Sequence, residues 1–121
     1  GGWIMVGNAK GTFGFVAGYK NGWPPAGGNL VFIDHGTKMK VKATSVTSYW
    51  GYQNSRTFGG TADVNGQPGC SYSVTVTDNG NPGAGRYAFS LQLSGTCGYN
   101  GYSASGTLGG GNIKFHYLNH P

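Results

Sequence analysis

The chain has 121 residues, enough for one domain with a real but modest core. Its 25 glycines follow no Gly-X-Y period, which excludes collagen, and its 37% hydrophobic content excludes a disordered polymer. Charged residues make up only 9% and glutamate is absent, which argues against exposed helices, while a net charge of +5 leaves polyanions open as partners.

Trp3-Ile4-Met5-Val6 reads as a first strand and residues 7–11 as a turn. Residues 12–19 alternate with a period of two, placing Phe13, Phe15, Ala17 and Tyr19 on one face and Thr12, Gly14, Val16 and Gly18 on the other. Residues 20–28 form a loop in which Trp23 precedes Pro24-Pro25, two residues that stiffen the backbone. Leu30-Val31-Phe32-Ile33 is a near-continuous apolar run, which predicts burial on both faces or a central position. Asp34-His35-Gly36-Thr37 turns the chain.

Residues 38–49 give the longest strand candidate. Lys38, Lys40 and Lys42 alternate with Met39, Val41 and Ala43, and a slip of phase predicts a bulge near Thr44-Ser45. The lysine face reads first as an edge strand protected by charge, and second as a polyanion contact. Residues 50–55 read as an aromatic loop carrying Trp50 and Tyr52. A strand over 56–64 holds Phe58, Ala62 and Val64, with a bend at Gly59-Gly60, and residues 65–69 turn into Cys70.

From Cys70 to Cys97 the alternation is strict. Tyr72, Val74 and Val76 oppose Ser71, Ser73, Thr75 and Thr77; Tyr87, Phe89, Leu91 and Leu93 oppose Ala88, Ser90 and Gln92. Asn79-Gly80 and Pro82-Gly83 lie between the two arms, so this is a β-hairpin with a longish loop. Residues 98–101 turn, 102–108 form a strand, Gly109-Gly110-Gly111 reads as a flexible hinge, and a last strand carries Ile113, Phe115 and Tyr117. Eight or nine short strands without a helix predict a single all-β domain over 1–121, an antiparallel two-sheet sandwich, with a jelly roll or a barrel as the alternative.

Two cysteines fit either free thiols in the cytosol or one disulfide outside it. Their placement at matching ends of the hairpin favours a Cys70–Cys97 disulfide, which would contribute roughly 3–4 kcal/mol through the loop it closes. No apolar run reaches the length of a membrane-spanning helix, so no membrane insertion is expected. No signal peptide precedes Gly1-Gly2-Trp3, so a secreted product would be a mature form or a domain cut from a longer precursor.

Several segments together resemble a known family. They are Phe13-Gly14-Phe15-Val16, Leu30-Val31-Phe32-Ile33-Asp34-His35-Gly36-Thr37, Thr44-Ser45-Val46-Thr47-Ser48, Val74-Thr75-Val76-Thr77-Asp78-Asn79-Gly80-Asn81-Pro82-Gly83, Tyr102-Ser103-Ala104-Ser105-Gly106-Thr107-Leu108 and Gly110-Gly111-Asn112-Ile113. The chain resembles, in order and over nearly its whole length, the glycine-rich post-COAP-like β-domain near the C-termini of secreted bacterial surface proteins. The resemblance implies an extracellular structural or adhesive role and brings no catalytic residues with it. A lone domain of this kind could be the repeating subunit of an extracellular filament or matrix.

The residues supply little catalytic chemistry. Asp34, Asp63 and Asp78 are the only carboxylates, and their spacing suggests no facing pair for glycoside hydrolysis. No Gly-x-Ser-x-Gly nucleophile elbow occurs. His116 and His120 sit four apart, a metal spacing on a helix but not on a strand. Asp78, Asn79 and Asn81 offer hard oxygen ligands for calcium, although the same residue types make turns. Trp3, Trp23, Trp50, Tyr52, Tyr99 and Tyr102 are candidates for a subunit interface or for stacking on sugars, and the same rings also fit ordinary core that caps the ends of the sandwich. Lys38, Lys40 and Lys42 lack any nucleic-acid motif beside them.

These readings lead to a secreted, cell-surface or matrix domain, not an enzyme, that works by association. Self-association would pair residues 3–6 or 113–118 with a neighbour's open sheet edge. Trimming 1–7 should then leave a folded monomer. A carbohydrate-binding module is the alternative; calcium is the only cofactor considered.

Overall fold

A computed structural model of the chain describes residues 1–19, 26–78, 87–111 and 113. Among these residues, ten strands run in one antiparallel ladder. They are β1 (Gly2–Val6), β2 (Ala9–Tyr19), β3 (Ala26–Asp34), β4 (Met39–Ala43), β5 (Ser48–Tyr52), β6 (Ser55–Val64), β7 (Gln67–Asp78), β8 (Tyr87–Gly95), β9 (Ser103–Thr107) and β10 (Gly110–Gly111). The order is β10-β1-β2-β3-β4-β6-β7-β8-β9, with β5 added beside β6.

The ladder folds into two layers. One holds β10, β1, β2, β3 and β4; the other holds β5 through β9. Strands β4 and β6 share only the pairs Val41↔Val64, Lys42↔Asp63 and Ala43↔Ala62, and the sheet turns its corner there. Inner side chains then meet face to face. Phe13 of β2 stacks on Phe89 of β8 with centroids 4.0 Å apart, Phe15 meets Phe58 at 5.0 Å, and Phe32 meets Phe89 at 5.9 Å. Leu30, Val41, Val64, Val74 and Leu91 are wholly buried between them. The sandwich expected from the alternation is therefore present, as a meander of sequence neighbours and not a closed barrel.

The bulge forms where the phase slips. The Thr44 and Ser45 N–H groups both point at the Thr61 carbonyl, at 2.8 and 3.3 Å. The Thr44 and Ser45 hydroxyls both bond the Thr61 hydroxyl, at 2.8 and 2.7 Å. Gly60 is needed opposite, because a Cβ there would land on the Ser45 carbonyl oxygen. The consequence exceeds a bulge: the single long strand expected over 38–49 is two strands, β4 and β5, on one side of β6.

Other expectations change for physical reasons. Strand β4 lies between β3 and β6, so its lysines do not guard an edge. Lys38 sits in the preceding turn at φ 62° and is not part of β4. Trp50 and Tyr52 belong to strand β5 instead of a loop. The turn before β2 is shorter than expected, since β2 starts at Ala9. In β3, Leu30, Phe32 and Asp34 are buried while Val31 and Ile33 are half-buried, so a central strand still keeps two unequal faces.

Gly109-Gly110-Gly111 is not a hinge. Gly110 and Gly111 pair with Trp3 and Gly2, and a Cβ on Gly109 or Gly110 would run into the Trp3 ring. Strand β1 itself is a core element with Ile4 fully buried. Removing residues 1–7 would take that side chain out of the core, so the trimmed chain is not expected to stay folded.

The turn expected over 65–69 is present but shorter: Asn65 and Gly66, at φ 51° and 82°, make a two-residue β6–β7 hairpin turn, and residues 67–69 already belong to β7. The β7–β8 hairpin pairs Cys70 with Gly95 and Asp78 with Tyr87. Cys70 is joined to Cys97 in a disulfide, their Cα atoms 5.0 Å apart.

Candidate functional site

The exposed aromatic pair lies on β5. Alternation sends Tyr49 inward, where it is 5% exposed, and leaves Trp50 and Tyr52 outward at 58% and 72%. The inner ring is anchored by Tyr19, whose ring lies 5.7 Å from it and whose hydroxyl donates to the Tyr49 carbonyl at 2.9 Å. The tip of the β5–β6 hairpin is braced as well. Arg56 Nη1 donates to the carbonyls of Gln53 and Ser55, and Asn54 exchanges two hydrogen bonds with the Asp78 backbone, at 2.8 and 2.9 Å. Two rings are thus presented on a fixed base. Among the described residues β5 pairs with β6 alone. Neither Lys nor Pro protects the strand, and those are common guards of a sheet edge.

These rings form one rim of a larger surface. Register carries Trp50 across to Thr57, Thr75, Ser90 and Ser105 in successive strands. The next row runs Ser48, Gly59, Ser73, Gln92, Ser103. On the other side, Tyr52 is followed by Ser55, Thr77, Ala88 and Thr107. Away from Asp63 at the β4–β6 corner, the described outer face of the second layer is therefore an uncharged field of hydroxyls with two aromatic rings at its margin. Neighbouring hydroxyls touch, as Thr57 and Thr75 do at 3.0 Å.

The first layer's outer face differs. Lys40 and Lys42 project beside the half-buried Ile33 and Val31, and they line an open depression of 460 Å³ together with Asp63, Asn65 and Gly66. Lys42 stands directly opposite Asp63, which offsets part of its charge. The three lysines expected on one face are therefore two on the face and one in a turn.

The remaining described candidates take part in contacts within the fold. Trp3 is half-buried against the 109–110 glycines, with Lys10 Nζ 4.3 Å above its ring. Tyr99 accepts a hydrogen bond from Asn65 Nδ2 at 3.0 Å. The Tyr102 hydroxyl donates to Asp34 Oδ2 at 2.8 Å. Asp78 ends β7 opposite Tyr87. Trp23, Asn79, Asn81, His116, His120 and, apart from the buried Ile113, the expected strand over 112–118 lie outside the described residues.

Asp34 is the feature the sequence reading missed. It is 3% exposed and is the buried charged residue among the described ones. Burial pushes its carboxyl up, but hydrogen bonds from Tyr102, Thr37 and Gly36 more than offset this and hold it below 3.8. Burial, and then the pairing with Asp34, drive the Tyr102 phenol far upward, and burial alone pushes Tyr72 up to about 12. The signal was present: Asp34 shares the inward parity of Leu30 and Phe32, and a carboxylate there requires a partner.

Comparison with family models, with curated proteins and with solved structures found no match.

Proposed function

We propose that this chain is a secreted, non-enzymatic domain of the glycine-rich surface-protein type it resembles, and that it works by association, as a filament or matrix subunit or an adhesive module. One observation carries this reading: Trp50 and Tyr52 stand exposed on a short, uncharged strand that, among the described residues, pairs on one side only. An aromatic pair on a fixed base loses little side-chain entropy when covered, and Trp and Tyr dominate the energetics of interfaces. The side of β5 away from β6 pairs with no other described strand, which suits the addition of a neighbour's strand there. A buried cysteine pair suits an oxidising compartment.

Negative-stain microscopy of the unreduced protein tests it. Regular fibres or large particles are expected, and they should vanish in Trp50→Ser/Tyr52→Ser. A field of isolated monomers would overturn the reading.

The hydroxyl field beside the rings favours a second reading, a carbohydrate-binding module. The Lys40/Lys42 depression is a weaker base for polyanion binding, because Asp63 lies within it.

A further inference from the structure

We infer that the outer face of the second layer binds a neutral polysaccharide laid across strands β5 to β9. The inference rests on the carbohydrate reading and names its site and ligand class. It begins from an anomaly of charge. Charged residues make up about 25% of an ordinary globular chain and lie mostly at its surface. Here the outward positions of β7, β8 and β9 carry none, although the chain as a whole has a net charge of +5. Among the described residues the charges lie in the first layer, in the Lys38 turn, at the corner at Asp63, and at Arg56 and Asp78 towards one end of the second layer.

The chemistry of the face selects among partners. Nucleic acids and acidic polymers are held by Lys and Arg, which the face lacks. Lipid surfaces need an apolar or cationic face. The centres of protein interfaces are depleted in serine, whereas Ser73, Ser90 and Ser105 occupy the middle of this one. A neutral polysaccharide meets every requirement. Its hydroxyls donate and accept, as Ser and Thr hydroxyls do. Its C–H faces stack on aromatic rings, and Trp50 and Tyr52 stand at the rim, two residues and about 6.6 Å apart along β5.

Sedimentation with insoluble neutral polysaccharides (β-1,4-glucan, β-1,3-glucan, mannan and chitin) tests the inference on the intact chain, with soluble polygalacturonate as the anionic comparison. At least one neutral polymer should deplete the protein from solution, and added salt should not release it, because no ion pair is involved. Ser73→Glu and Ser105→Glu, both at exposed positions, should each weaken that binding by about tenfold or more, since either buries an unpaired charge under the ligand. Should these variants melt early, Ser73→Tyr and Ser105→Tyr keep strand propensity and should block the face by bulk. No depletion by any neutral polymer overturns the inference. So does binding that salt abolishes and that Lys40→Ala/Lys42→Ala removes. Binding that ignores both serine variants but falls with Trp50→Ala keeps the carbohydrate reading and overturns this face as its site. Particle size without glycan reads self-association separately.

Discussion

The Tyr102 hydroxyl donates to Asp34 Oδ2 at 2.8 Å across 68 residues of sequence. It joins the inner end of β3 to the turn that leads into β9. The Gly36 and Thr37 N–H groups complete the carboxylate's partners, at 2.9 and 3.3 Å. A hydrogen bond to a buried charge is worth more than a neutral one, so Tyr102→Phe should cost about 2 kcal/mol in urea unfolding at neutral pH.

Acid should erase that difference. The folded Asp34 carboxyl is held below its ordinary value, so its contribution is complete above the unfolded value of 3.8 and is lost as pH falls through the lower folded value. The gap between wild type and Tyr102→Phe should stay constant near neutrality and shrink below about pH 4. A gap that widens in acid would contradict this account of the pair.

Alkali acts through Tyr72, whose hydroxyl donates to the Ser45 carbonyl at 2.9 Å and whose pKa is pushed up to about 12 by burial. The phenol ionises more readily unfolded, near 10, than folded. Its contribution is therefore complete below pH 10 and declines as pH climbs towards 12. Tyr72→Phe should flatten part of the alkaline loss of stability, measured by urea midpoints between those values.

Two glycines should respond in opposite ways to the same substitution. Gly60→Ala drives a methyl into the Ser45 backbone at the bulge and should lower stability by about 1–3 kcal/mol. Gly14→Ala meets nothing within 4 Å and should be neutral within about 0.5 kcal/mol, or slightly stabilising. Thermal melts of the pair compare a filled space with an open one.

The Cys70–Cys97 bond spans 27 residues, and both partners are buried. Replacing both by alanine should cost roughly 3–4 kcal/mol from the loop closure it removes. Urea unfolding of the variant reads this, and an unchanged midpoint would deny the bond a structural role.

The fold was legible where alternation and turn chemistry agree. Tyr72, Val74 and Val76 against Phe89, Leu91 and Leu93 set the β7–β8 hairpin, and Asn65-Gly66 set its predecessor. What stayed hidden was which strands become neighbours. Lys40 and Lys42 look the same on an edge as on an interior strand, because a period of two says nothing about strand order. Trp50-Gly51-Tyr52 reads as a loop by composition, but a Cβ at Gly51 would meet Arg56, so glycine there marks close packing in a strand. The serines and threonines of β7 and β8 were visible as faces one strand at a time. Only the register across β5 to β9 merges them into one surface.

Association through the β5 rim is read by light scattering on the eluting, unreduced protein. The wild-type chain should run well above its monomer mass of 12.6 kDa, growing with concentration. Trp50→Ser/Tyr52→Ser should run as a monomer with an unchanged melting temperature, because both side chains are exposed. A wild-type monomer at every concentration, or a double variant that assembles like wild type, would contradict it.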